Sequence, residues 1–228
     1  MLIKVIAFDA DDTLWVNEPY FQETEKKFCG LLEDYLPAHT TARELLQTEM
    51  NNISLYGYGI KGFMLSMIET AMRVSQKTIS LEAIDKIIEY GRELLARPIE
   101  LLDGVEEVLQ ELKGKYRLVV ATKGDLLDQE RKLRNSGIEH YFHHIEIMSD
   151  KKESDFQKLI RHLDVQPAEF LMIGNSLKSD ILPVLNLGGH GFHIPYHTNW
   201  ALDHIEHTIE HENFKQVAQI REVLIHLP

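Results

Sequence analysis

The stretch Met1-Leu2-Ile3-Lys4-Val5-Ile6-Ala7-Phe8-Asp9-Ala10-Asp11-Asp12-Thr13-Leu14 decides how the rest of this 228-residue chain is read. Residues 2–8 are a near-continuous apolar and β-branched run, the pattern of a strand buried on both faces. The run is far too short to cross a bilayer, which takes roughly 20 apolar residues. Three carboxylates end it at once, and no secretory h-region would tolerate them. A cytoplasmic chain with no membrane segment is therefore expected. A buried strand that empties into acids also suggests that the strand ends carry chemistry.

The downstream pattern supports a sheet with such ends. From about Asn17 to about Arg97 the sequence reads as helix only. Phe21, Phe28, Leu31, Leu32 and Tyr35 recur at helical spacing, and Thr41-Ala42-Arg43-Glu44 has the form of a capping box opening a second helix. Tyr56-Gly57-Tyr58-Gly59 breaks the pattern before a third helix containing Phe63, Met64, Met67, Ile68 and Met72, whose methionines read as packing. Ser80 can cap a fourth, and Pro98 ends the block. After Pro98, helix and strand alternate. Asp103 can cap a helix closed by Gly114. Strands follow at 117–121, 145–148, 170–173 and 191–194, with helices at 125–135, 154–163 and 179–187 between them. This alternation predicts an α/β fold: a doubly wound, Rossmann-like parallel sheet core from residues 1–16 and 98–228, with an all-helical cap domain, residues 17–97, inserted after the first strand.

Charge narrows the partners. The 24 Lys and Arg residues against 36 Asp and Glu give a net charge of −12, which excludes a general nucleic-acid binder, because phosphate backbones need a basic footprint. Any small anionic substrate must then meet a local positive feature or a metal. The single cysteine, Cys29, cannot form an internal disulfide and reads as a small buried hydrophobe.

In an open parallel sheet, ligands sit beyond the carboxyl ends of the strands. Here those ends are Asp9-Ala10-Asp11-Asp12-Thr13, Thr122-Lys123-Gly124-Asp125, Ser149-Asp150-Lys151-Lys152 and Gly174-Asn175-Ser176, with Asp180 shortly after. The set suits an electrophile bearing oxyanions. A strand-end carboxylate is a competent nucleophile, and a second one two residues on can turn back to protonate a leaving group and then activate water. Clustered acids repel one another unless a cation joins them, and Mg²⁺ accepts one or two carboxylates plus phosphate oxygens. Thr122 and Lys151 would offset charge on the transferring group.

Taken together, these segments resemble the phosphohydrolase branch of the haloacid dehalogenase-like superfamily with a helical cap of the first type. The resemblance covers nearly the whole chain. It rests on Phe8-Asp9-Ala10-Asp11-Asp12-Thr13-Leu14, on Thr122 after Val119-Val120-Ala121, on Lys151 or Lys152 before a helix, and on Gly174-Asn175-Ser176-Leu177-Lys178-Ser179-Asp180. It implies Asp9 as nucleophile, Asp11 as general acid/base, and Thr122 with Lys151 holding the phosphoryl group; Lys152 is the alternative lysine. It places Mg²⁺ among Asp9, the Asp11 backbone carbonyl, Asn175 and Asp180. Asp12, Lys123, Gly124 and, in the cap, Lys61 are candidates for substrate binding. Asn175 departs from the family pattern, which has an acid there; its amide oxygen can still ligate but brings no charge.

Other features carry less. Tyr56-Gly57-Tyr58-Gly59-Ile60-Lys61-Gly62-Phe63 is equally a substrate-facing loop or a packed helix–helix turn. His204, His207 and His211 have helical spacing, but no cysteine joins them, and a solvated face is the reading preferred over zinc. The overall expectation is a Mg²⁺-dependent phosphatase acting on a small phosphorylated metabolite. Its rivals are a 2-haloacid dehalogenase, a phosphomutase and a catalytically weak binding or regulatory protein.

Overall fold

The computed structural model describes residues 3–198 and 209–227. Its Cα positions divide into two compact units, one of residues 1–18, 99–123 and 129–228, the other of residues 19–98 and 124–128.

The first unit is built on a six-stranded parallel sheet of order β3-β2-β1-β4-β5-β6. The strands are β1 (Val5–Phe8), β2 (Arg117–Lys123), β3 (His144–Met148), β4 (Phe170–Gly174), β5 (His190–His193) and β6 (Phe214–Gln216). The apolar run that opens the sequence becomes the central strand, wholly buried. Its side chains alternate between faces. Ile6 and Phe8 pack with Val105, Val108, Leu109 and Leu112. Val5 and Ala7 pack with Phe156, Leu159 and Ile160. The sheet is thus covered on both faces by helices, α5 (Val105–Leu112) on one and α7 (Glu153–His162) on the other. From β1 the chain first adds β2 and β3 on one side, then crosses over to add β4 on the other. The order reverses between β1 and β4, and their carboxyl ends flank the crevice where doubly wound sheets bind ligands. Asp9 and Asn175 lie there.

The second unit contains most of α1 (Glu18–Leu31), with α2 (Ala38–Tyr56), α3 (Ile60–Val74) and α4 (Leu81–Ala96). Phe28, Leu32, Leu45, Phe63, Met67, Ile87 and Leu94 form its apolar core. Between α2 and α3 runs a polar seam, with Asn52 Nδ2 donating to Ser66 Oγ at 3.1 Å and the Thr70 hydroxyl to Thr48 at 2.9 Å. The Gly-rich segment does form a helix–helix turn: Gly57 and Gly59 have φ of 72° and 109°. A Cβ on Gly59 would meet the Asp125 backbone nitrogen at 3.3 Å, and Lys61 pairs with Asp125 at 2.7 Å. This places Gly124–Asp128 with the helical unit, whereas the sequence reading assigned it to the core.

Several boundaries differ from the sequence reading. The capping box at Thr41–Glu44 does not start α2. The helix begins at Ala38, directly after Pro37, whose fixed φ already makes the break, and the Thr41 hydroxyl donates to the Pro37 carbonyl at 3.4 Å. The first helix ends at Leu31, and residues 32–35 are turns. Asp103 does not cap α5: left-handed Gly104 precedes it, while the Asp103 carboxylate accepts from Arg221 at 2.6 and 3.0 Å. Ser80 does cap α4, accepting from Ala83 N. The segment read as one helix from Ser179 is a wide π-type turn, Leu177–Ile181, followed by α8 (Leu182–Asn186). Strand β6 went unread because three residues, two of them exposed, carry no period. The remaining helices are α6 (Leu126–Ser136) and α9 (Val223–His226). Among the described residues, no helix is long and apolar enough to cross a membrane.

Candidate active site

Four strand ends deliver polar side chains to one place in the first unit. Asp9 follows the last residue of β1, and its backbone N–H still bonds to Ile173 O on β4 at 2.9 Å. This pins the carboxylate beside the end of β4. Lys151, just beyond β3, sends its ammonium between Asp9 Oδ1 and Asp180 Oδ1, the latter at 2.6 Å. The Lys151 and Asp180 side chains are each 1% exposed, so this is a buried ion triad. Burial alone would lower the Lys151 ammonium, but Asp180 and Asp9 more than reverse this and hold it above its ordinary range. Burial pushes the Asp9 carboxyl up to about 7, against the pull of Lys151. Lys152 points elsewhere: it is exposed and pairs with Asp150 at 3.0 Å.

Thr13 ties the first and fourth strand ends together. Its hydroxyl lies 3.1 Å from Asp9 Oδ2 and 3.3 Å from Asn175 Oδ1, and it accepts the Asn175 backbone N–H at 3.1 Å. His193 on β5 donates from Nε2 to the Asn175 carbonyl at 2.9 Å, supporting the same turn. Asp180, read from sequence as a metal ligand, has both oxygens engaged. One is on Lys151, and the other accepts the Ser176 backbone N–H at 2.9 Å. Its observed contacts make it the anchor of Lys151.

Asp11 is held by its own set of donors. Trp15 Nε1 at 2.7 Å and Lys132 Nζ at 2.8 Å reach Oδ1, and Gln129 Nε2 reaches Oδ2 at 3.0 Å. Gln129 Nε2 also touches Thr122 Oγ1 and Lys123 O, each at 2.9 Å. Asp12, read as a substrate contact, turns instead to the backbone N–H groups of Asn17 and Glu18, each 2.9 Å away at the start of α1. It adopts φ 61°, and burial lifts its carboxyl to about 7. Lys123 donates to Ser179 Oγ at 3.0 Å, and Gly124 has φ 142°. Trp15, Gln129, Lys132 and His193 were not singled out from sequence, and Thr13 and Ser179 entered only as members of the quoted motifs, without a role. Gln129 and Lys132, three residues apart on α6, share a helix face, and that spacing was the one available signal.

The oxygens of Asp9 and Asn175 that converge on Thr13 form a hard, all-oxygen donor pair. Such a set suits Mg²⁺, which keeps several waters or substrate oxygens and needs few protein ligands. Among the described residues, no three His, Cys, Asp or Glu side chains group as a metal cage. His211 accepts from Asn213 N at 3.1 Å, while His204 and His207 lie outside the described residues.

Comparison with known proteins agrees with this arrangement. Residues 3–188 match the model of the haloacid dehalogenase-like hydrolases. A solved haloacid dehalogenase-like family hydrolase from Xanthomonas campestris is 35% identical with a TM-score of 0.88, covering 98% of this chain and 91% of that one. A glyceraldehyde 3-phosphate phosphatase of Methanothermobacter thermautotrophicus is 24% identical across 98% of this chain and all of its own. The mouse N-acylneuraminate-9-phosphatase is 36% identical over 93 residues, 39% of this chain and 38% of its own. With the family model matching most of its length and the family's strand-end residues meeting in one site, the chain belongs to the haloacid dehalogenase-like hydrolases.

Proposed function

We propose that the chain is a Mg²⁺-dependent phosphohydrolase for a small phosphate monoester, working through an aspartyl-phosphate on Asp9. The observation that carries this reading is the buried contact of Lys151 with Asp9, anchored by Asp180. A cation held beside this strand-end carboxylate supports attack by Asp9 on a phosphoryl group whose charge Lys151 would offset. Relatives that are phosphatases of small metabolites support the substrate class.

In this reading Asp9 Oδ attacks phosphorus while the bond from phosphorus to the ester oxygen breaks. Asp11, protonated, gives that oxygen its proton. Water then attacks the aspartyl-phosphate, Asp11 takes the proton back, and phosphate leaves with Asp9 restored. Lys151 and the Thr122 hydroxyl bind the phosphoryl oxygens. Asp9, the Asp11 carbonyl and Asn175 would hold Mg²⁺, which when bound offsets charge on the transferring group. An acid two residues after the nucleophile favours a leaving group that needs a proton over a halide, which needs none. The helical unit is proposed as the cap, with Lys61 its candidate substrate contact.

The test is phosphate release from 4-nitrophenyl phosphate. Asp9→Asn should lower turnover at least roughly a thousandfold, and EDTA should abolish it reversibly. Activity retained in either case overturns the mechanism, and chloride release from a 2-haloacid without added metal would replace it.

A further inference from the structure

Gln129 presents an unusual balance of partners. It is 3% exposed, and its Nε2 faces three acceptors: Asp11 Oδ2, Thr122 Oγ1 and Lys123 O. Its Oε1 is buried and has no hydrogen-bond partner. Turning the amide over would not repair this, because the oxygen would then face a carboxylate and a carbonyl, which can only accept. The orientation is therefore fixed by its neighbours. The protein tolerates an unpaired buried carbonyl to keep the N–H groups on Asp11 and Thr122, and such a group in a native fold asks for an explanation. Lys132 adds to the picture. Its ammonium bridges Asp11 Oδ1 and Asn17 Oδ1, each at 2.8 Å, and its side chain is only 12% exposed.

We infer that Gln129 and Lys132 are positioning residues for general acid catalysis, with Trp15 as the third support. Together they fix the Asp11 carboxyl group from both oxygens. Gln129 additionally links it to the hydroxyl expected to bind phosphate. Because Gln129 donates to Thr122 Oγ1, the Thr122 hydroxyl acts as a donor in turn. Its proton goes to Lys123 O over a long 3.4 Å, a contact that a phosphoryl oxygen would replace. Neither residue is assigned contact with the reacting atoms. The inference rests on the phosphohydrolase reading of this site.

The test exploits how strongly the leaving group depends on protonation. Phenyl phosphate releases a much more basic oxygen than 4-nitrophenyl phosphate, at nearly the same size. The ratio of kcat/KM for the two esters therefore reports the acid, since kcat/KM covers the step in which the ester oxygen departs. In Lys132→Met and Gln129→Met, phenyl phosphate should lose about 100-fold and 4-nitrophenyl phosphate about tenfold or less. Lys132→Met should show the larger selectivity, because Gln129→Met also disturbs Thr122 and so affects both esters. Poorer folding or a smaller active fraction would lower both esters equally and leave the ratio at its wild-type value. An unchanged ratio in both variants overturns the inference. A wild-type enzyme that hydrolyses neither ester instead overturns the phosphohydrolase reading on which it rests.

Discussion

Gly174 and Asp180 approach so closely that a Cβ on Gly174 would fall 2.3 Å from Asp180 Oδ2. The last residue of β4 is thus a glycine because the carboxylate that anchors Lys151 occupies the space a side chain would fill. The obstructing atoms are a buried carboxylate held by Ser176 N and Lys151, so they cannot swing away without breaking both contacts. Gly174→Ala should destabilise the protein by about 3 kcal/mol or more, since it displaces one member of a buried ion group. Denaturant titration with a parallel rate assay checks this. A variant of wild-type stability would show that Asp180 can relocate freely.

The two neighbouring lysines should separate cleanly. Lys151 is buried between two carboxylates, whereas Lys152 is exposed and pairs with a half-exposed Asp150. Lys151→Ala leaves two buried acids without their cation and should cost roughly 3–5 kcal/mol along with nearly all activity. Lys152→Ala should change stability by no more than about 0.5 kcal/mol and leave turnover near wild type. Thermal melts and steady-state rates on both variants decide the assignment.

How much of this was legible in the sequence depends on where each signal resides. Asp9, Asp11, Lys151 and Asn175 could be singled out because each lies just past a strand of the sequence pattern, with Thr122 near the end of another, and a parallel sheet sends its strand ends to one edge. Gln129 and Lys132 were not. They sit on α6, a strongly polar helix whose sequence reads as solvated, and only its docking beside β2 turns that face towards Asp11. Asp180 and Asp12 were read as ligand-facing because sequence shows an acid but not the donors it meets. One met a lysine and a backbone amide, and the other met the start of α1. The start of α2 was misplaced for a similar reason, as two local signals competed and the proline prevailed over the capping box.

Cys29 makes a pH-dependent prediction. Burial raises its thiol to about 11, from an ordinary 9.0. At any pH below about 9 the thiolate fraction is then about 100-fold lower than for a free cysteine, and native protein should alkylate with iodoacetamide at least that much more slowly than protein in urea. Because the folded value lies above the unfolded one, the associated stability is fully present below pH 9 and is lost as pH rises through 11. The stability difference between wild type and Cys29→Ala should therefore shrink over that interval. Rapid alkylation of the native protein at pH 8 would contradict the buried placement.

Asn175 bears on the metal. An Asp here would add a charge where Thr13 already draws together an Asp9 oxygen and the Asn175 amide oxygen. That charge has opposite effects with and without a cation. With Mg²⁺ bound it adds an attraction, so Asn175→Asp should tighten Mg²⁺ binding by tenfold or more, read by calorimetric titration of the resting enzyme; an effective dielectric near 20 leaves a pair at contact distance well over the roughly 1.4 kcal/mol this needs. Without metal it sets two carboxylates about one hydroxyl, so the same variant should melt lower than wild type in EDTA. The two effects should cross as Mg²⁺ is added, the variant becoming the more stable form at saturation. Equal Mg²⁺ affinity in the two proteins would remove Asn175 from the proposed metal shell and leave its side chain the structural role of meeting Thr13.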